Sequence, residues 1–426
     1  MKTPKTIYLL ITLILITSCK KTPTGTSGPV TVFFSDVNFE QVIRDAIGKP
    51  TGEIFNTDLD SLEVLKAGSK EITDISGIEY CTNLIELDLR NNQIVNISSL
   101  ANCLNLVELQ LYRNEISDIS PLSKLIKLED LSITYNSITD ISHLSSLTNL
   151  RSLSMAGNNI SDISVLTKLP LLESLSFGIN PIADYSPISN LTSLKRIYFQ
   201  SLNLTNLDFV STLVNLTDIS FRYNEINDIS ALANLTQLSS ISGERNQITD
   251  LSPIAGLTKL YSIRFGNNQI SDISPLANLV NLYSIRIYDN QISDISPLAS
   301  LTNLSTLLLL DNQISDLAPL AELTNLVWLK LENNQIADIN PLNNLIKLKN
   351  LNISQNQISS IDALTSLTSL EKLYLSENQI DDIVALVNNS GIGNGDEIWL
   401  EDNPLSDTSK NTYIPQLEDR GVTVHQ

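Results

Sequence analysis

An asparagine returns every 22 residues or a multiple of 22 along most of this chain, at positions 92, 114, 136, 158, 180, 224, 246, 268, 290, 312, 334, 356 and 378. A fixed period over so long a stretch means a stack of similar units, each too small to bury its apolar face alone. The unit is clearest from Leu282 to Leu301, LYSIRIYDNQISDISPLASL. Lys70 and Leu202 stand where the asparagine would fall, and the period restarts at Asn403 after a three-residue excess around residues 391–395. Sixteen coils result, fifteen in strict register.

Within a coil, Leu87-Asp88-Leu89 alternates with the period of a strand, so the leucines point inward and Asp88 and Arg90 outward. Stacked coils lay these short strands side by side in parallel. The repeated asparagine belongs inside the turn, where its amide can donate to and accept from backbone groups that no ladder satisfies. Leu202 breaks that polar ladder and predicts a weak point or bend. The remainder of each coil, such as Asp118 to Leu122, is too short for a long helix; Ser before Pro suits a brief 3₁₀ turn with Ser as its cap. The pattern L-x-x-L-x-L-x-x-N-x-I resembles the leucine-rich repeat. The expected fold is an α/β solenoid of that type: curved and right-handed, with a parallel β-sheet on the concave side and short 3₁₀ or turn segments on the convex side.

A solenoid needs covers at its ends. Asp36 to Ile47 carries Val37, Phe39, Val42, Ile43, Ala46 and Ile47 on one helical face and predicts an N-terminal lid. Ser409 to Asp419 reads as a closing helix with Tyr413, Ile414 and Leu417 inward, followed by a short strand at Val422 to Val424. The expected organisation is a cap over residues 35–61, repeats over 62–387, and a final coil with its cap over 388–426.

The chain opens with Lys2 and Lys5 before an apolar run from Ile7 to Ile16, about half of the ~20 residues a spanning helix needs. Ile16-Thr17-Ser18-Cys19 follows, and here the sequence resembles a bacterial lipoprotein precursor. The resemblance implies a signal peptide over residues 1–18, lipid on Cys19, and a flexible tether over residues 19–34. It also implies attachment to a membrane of the bacterial envelope without spanning it. The repeat, its helical cover and the Asn-Gln-Ile-x-Asp-Ile-x-Pro-Leu core most resemble the internalin-like class of bacterial leucine-rich repeat proteins, which implies protein recognition in adhesion or host-cell attachment. No wall-sorting motif or second module is apparent, which speaks against host-cell invasion.

The outward positions carry the functional signal. Eight of the ten arginines fall there, although the chain has 47 acidic against 27 basic residues and a net charge of −20. That charge excludes nucleic acid as the expected partner. Aromatics follow the same rule, and Tyr, Trp and Arg dominate binding hot spots. The densest group, Tyr198, Arg222, Tyr223, Arg245, Arg264, Arg286, Tyr288, Leu308, Leu310 and Trp328, is the expected ligand-binding face. Leu307 to Leu310 is apolar on both sides, as a patch awaiting cover would be. The expected partner is a protein, with a glycan as the alternative ligand, and the chain itself is expected to be monomeric. A second reading is a structural or regulatory envelope protein that binds an endogenous polysaccharide or envelope protein.

Other features read as structural. An aspartate recurs four residues after the asparagine; a calcium ribbon would need six to eight converging oxygens, so capping of the local turn is favoured. Cys81 and Cys103 share one repeat position in adjacent coils, leaving a disulfide or two buried thiols open. His143 and His425 are expected off the sheet face, with no nucleophile nearby. No catalytic constellation, metal site or cofactor is expected.

Overall fold

The computed structural model describes residues 28–426, so the signal peptide and the lipid-bearing Cys19 inferred above lie outside the described residues. Seventeen three-residue strands run in parallel from Val64–Lys66 to Thr423–His425. Each pairs with the next exactly one repeat on, as in Ile263 with Ile285 and Ile285 with Leu307. The first and last strands each pair with one neighbour only, so the sheet is open. Right-handed crossovers are the rule for such parallel connections. The middle residue of every strand is buried, and the leucines and isoleucines of successive coils form one continuous core along the stack.

The asparagines work as expected. Asn114 accepts from the Ile94 N–H of the preceding coil at 3.0 Å and donates to the carbonyls of Leu89 and Leu111 at 3.0 and 3.1 Å. Each such side chain therefore ties its own turn to the coil before it. The preceding residue takes a left-handed conformation in nearly every coil, including Arg113, Tyr135, Tyr223 and Arg245 at φ 52–57°. Where the asparagine is missing, the following residue turns left-handed as well: Glu71 after Lys70 and Asn203 after Leu202. In both coils the N–H of the substituted position is taken up by the next asparagine, Lys70 by Asn92 and Leu202 by Asn224. The ladder's gap at Leu202 is thus a local backbone switch. Aromatic rings pack beside it: Phe199 lies 5.5 Å from Phe177, 5.2 Å from Phe209 and 6.2 Å from Phe221 between centroids, and Tyr185 stacks on Phe209 at 5.2 Å.

The back of each coil is a 3₁₀ turn with proline in its first positions where the sequence has one. The acceptor that caps it is the aspartate, not the serine. Asp118 Oδ1 accepts from the Ser120 N–H at 2.8 Å, and the other eleven recurring aspartates repeat this contact at 2.7–2.9 Å. A carboxylate two residues upstream reaches the open N–H better than the short serine side chain can. The Ser120 backbone N–H, followed by its hydroxyl, holds the Asp118 carboxyl below the usual range, and the same pair of donors acts on Asp140, Asp162, Asp184, Asp250 and Asp294. Among the described residues, no group of three or more His, Cys, Asp or Glu is placed to hold a metal ion.

The N-terminal lid is a helix, Val37–Ile47, capped by Asp36 and ended by left-handed Gly48. Asp36 also accepts from the Thr73 N–H at 2.7 Å, which pins the lid to the first coil. Phe39 and Ile43 are fully buried against that coil, but Val37 is 77% exposed and Ala46 also faces solvent, so the inward stripe is narrower than its apolar pattern suggests. Thr31–Val32 pairs with Ile54–Phe55, so pairing begins within the span read as tether. At the other end Ser409–Tyr413 forms a π-turn leading into the helix Ile414–Asp419, with Ile414 and Leu417 buried. The three-residue excess is absorbed on the back, where a short α-helix, Val384–Asn388, replaces the 3₁₀ turn and the next strand steps by 25 residues, Tyr374 pairing with Trp399. Gly391 lies so close to the Thr368 backbone that no side chain would fit. Cys81 and Cys103 are free, buried thiols, and burial pushes both to a pKa of about 12.

Candidate ligand-binding face

Because the register advances by one repeat per strand, each outward position forms a column across the sheet. One column runs Tyr198, Ser220, Ser242, Arg264, Arg286, Leu308, Lys330, Asn352, Tyr374, Trp399 and His425. Residues far apart in the chain thereby become neighbours about 4.8 Å apart in backbone spacing.

Of the ten residues expected to bind, Tyr198, Arg222, Tyr223 and Arg264 line one depression of about 550 Å³, floored by Ser220 and Ser242 and edged by Asp218. Arg245 joins them by lying over the Tyr223 ring, 5.3 Å from its centroid, with Arg222 at 5.8 Å. Tyr288 reaches the group from two coils away because Gly266 stands between. A side chain at Gly266 would collide with the Tyr288 ring. Burial, then the Glu244 charge, pushes the Tyr288 hydroxyl above its ordinary range. Arg286, Leu308, Leu310 and Trp328 lie outside the depression on the following coils; Arg286 pairs in register with both Arg264 and Leu308. Leu307 and Leu309 are fully buried while Leu308 and Leu310 are half-buried on the outer face, and Trp328 is 49% exposed.

The arginines divide into two sets. Arg90, Arg151 and Arg222 sit beside carboxylates, Arg222 Nε lying 3.0 Å from the buried Glu244, which also accepts from the Ser242 hydroxyl. Arg245, Arg264 and Arg286 make no ion pair among the described residues, and Arg286 Nε is buried with no hydrogen-bond partner. A guanidinium is a fork of donors suited to carboxylate, so three unpaired ones on one face of an acidic chain leave unused binding capacity. The N-terminal part of the sheet differs: Asp88 is buried beside Arg90 at 2.9 Å, Glu86 pairs with Lys66, and Gln110 bridges Glu108 and Asp130 at 3.3 and 3.0 Å.

His425 is placed differently from the sequence expectation. The last strand is Thr423–His425, one residue beyond the stretch read from Val422 to Val424, and its register brings His425 onto the sheet face. There it stacks on Trp399 at 4.7 Å, and Trp399 stacks on Tyr374 at 4.0 Å. The inward Val424, paired with Ile398, is the sequence signal that the alternation continues to His425. His143 does lie on the back, 3.8 Å from Asp140. A second depression, beside stacked Tyr261 and Tyr283, was not singled out by the sequence, because it depends on a small residue in the next coil.

A family model described as leucine-rich repeats (2 copies) matches residues 60–102, 104–146, 126–168, 148–191, 240–278, 324–366 and 346–388. No curated protein sequence matches the chain. Among solved structures, an internalin (inlF) of Listeria monocytogenes is 36% identical, with 88% of this chain and 96% of that one covered and a TM-score of 0.59. The functional domain of InlJ from the same organism, described as including a cysteine ladder, is 22% identical over 86% of this chain and 80% of that one, with a TM-score of 0.71. The leucine-rich repeat protein LIC12759 of Leptospira interrogans is 19% identical over 87% and 97%, with a TM-score of 0.69. The last two likenesses are of fold. The family model's matches and the internalin likeness together show that this chain belongs to the leucine-rich repeat family, in its internalin-like branch.

Proposed function

We propose that this protein is an envelope-anchored recognition protein that binds a partner protein on its concave sheet face, in adhesion or another cell-surface interaction. The observation that carries the reading is the cluster of unpaired guanidiniums, Arg245, Arg264 and Arg286, interleaved with Tyr223, Tyr288 and Trp328 on one wall of a chain whose net charge is −20. Arginine and aromatic side chains bring directional bonds and large area at modest entropic cost. The partner surface that fits presents carboxylates to the arginines and an apolar residue to Leu308 and Leu310. The likeness to an internalin supports recognition of protein; the Ile16 to Cys19 motif supports attachment through lipid on Cys19.

The test is to capture partners with the full chain from solubilised cell-surface fractions, then measure the affinity of the captured protein for Arg264→Ala, Tyr288→Ala and Trp328→Ala chains that keep the wild-type circular dichroism. Each truncation is expected to weaken binding by about 10–30-fold, the scale of a 1.4–2 kcal/mol hot spot. Unchanged affinity in all three would refute recognition on this face.

A further inference from the structure

The outward position just before each strand forms its own column at the rim of the sheet. From coil to coil it reads Ser239, Tyr261, Tyr283, Ser305 and Val327, each N–H donating to the carbonyl of the one before at 2.8–3.0 Å. Tyr261 and Tyr283 stack almost parallel, with centroids 5.0 Å apart and planes 4° apart, and both are substantially exposed. The stack then stops. Ser305 is 7% exposed and carries no ring, and the next bulky wall is Val327, a further coil away. The result is a slot within a depression of about 680 Å³, inside the size range of small-ligand sites.

Its width follows from the repeat. Two coils separate Tyr283 from Val327, about 9.5 Å at a strand spacing of about 4.7–4.9 Å. A flat ring touching two walls at about 3.5–4.0 Å each needs only about 7–8 Å, so the slot is too wide for one aromatic plane. A puckered saturated ring is thicker and fills it.

The edge of the slot is polar in one sense. Asn281, Asn303 and Asn325 each donate their amide N–H to a backbone carbonyl of the preceding coil at 2.9 Å, which fixes the side chains and leaves their carbonyl oxygens as acceptors. Asn325 Oδ1 takes Lys347 Nζ at 2.7 Å; those of Asn281 and Asn303 have no donor among the described residues. An apolar plane on one side and a row of fixed acceptors at the edge fit a ring whose C–H face lies on Tyr283 and whose hydroxyls point outward.

We infer that this slot is a glycan subsite that takes one pyranose ring between Tyr283 and Val327, with its hydroxyls donating to Asn281 and Asn303. The site uses none of the arginines of the protein-binding face, so the two can fail separately. The same sugar chemistry can be offered by a free polysaccharide or by a glycan attached to a partner protein.

Saturation-transfer NMR of the full chain with cellotetraose, maltotetraose and tetra-N-acetylchitotetraose tests it, alongside a glycosylated carrier protein before and after enzymatic deglycosylation. At least one probe should show saturation of its ring protons; response to the carrier alone, lost on deglycosylation, would place the sugar on a protein. Ser305→Tyr extends a tyrosine stack that two preceding coils already carry and should weaken binding at least tenfold by filling the slot. Tyr283→Ala should do the same by removing the plane, while Arg264→Ala should leave it unchanged. Absence of saturation with every probe, or undiminished binding in folded Ser305→Tyr and Tyr283→Ala chains, would overturn the inference. Loss in Arg264→Ala alone would assign the sugar to the sheet face instead.

Discussion

A Phe199→Ala chain is expected to lose about 3–5 kcal/mol of stability, the usual cost of emptying a fully buried aromatic site. Phe199 is 0% exposed and touches Phe177, Phe209 and Phe221, rings from the coils on both sides of the one that lacks its ladder asparagine. Elsewhere the coils are joined by the amide ladder as well as by apolar contact. At this junction Leu202 offers no side-chain oxygen, so the Ile182 N–H lacks the acceptor its counterparts use, and coupling rests more heavily on the rings. A solenoid is stabilised by nearest-neighbour interfaces, so weakening one of them should uncouple the two halves. Urea unfolding should change from one transition to two, and limited proteolysis should cut near residues 200–206. A cost below 1 kcal/mol with a single transition would show that the aromatic cluster is not what joins the halves.

Asn312→Leu should cost about 2–5 kcal/mol, because it leaves buried backbone groups without partners. Asn312 accepts from the Ile292 N–H and donates to the carbonyls of Ile287 and Leu309, all at 3.0 Å. Leu309 O keeps the amide of Asn334 at 3.1 Å, so the groups left bare are the Ile292 N–H and the Ile287 carbonyl. The two natural exceptions show how the chain responds: the residue after Lys70 and the residue after Leu202 both move to positive φ. Gln313 should follow them in the variant. Urea midpoints give the cost, and hydrogen exchange at Ile292 should accelerate well beyond that at the same position of a distant coil, Ile138. Protection at Ile292 equal to wild type would mean that water or a local turn replaces the amide.

The stack was legible in the sequence because a 22-residue period leaves no freedom of register: once Asn92 and Asn378 occupy one column, so do all the residues between them at the same phase. That fixes which side chains share the sheet face. It does not fix how far a long side chain leans. Tyr288 joins Arg222 and Tyr223 because Gly266 leaves room, and the readable signal is a glycine one coil before a tyrosine in the same column. The rim slot likewise depends on a small residue, Ser305, between two large ones, a pattern seen across coils and invisible along the chain. The capping aspartate was misassigned to serine because both types favour turns, and only geometry shows that Asp118 reaches the open N–H. Val37 fits the apolar phase of the lid helix yet faces solvent, since the first coil beneath it is too narrow to cover the whole stripe.

Hydroxyl-radical footprinting of the full chain, free and bound to its captured partner, tests most directly whether the sheet face is the contact surface. The account predicts protection of Tyr198, Tyr223, Tyr288 and Trp328 in the complex, with His143 and the exposed apolar residues of the convex side, such as Ile126, reacting as in the free chain. Protection confined to the convex side, with those four aromatics unchanged, would contradict it.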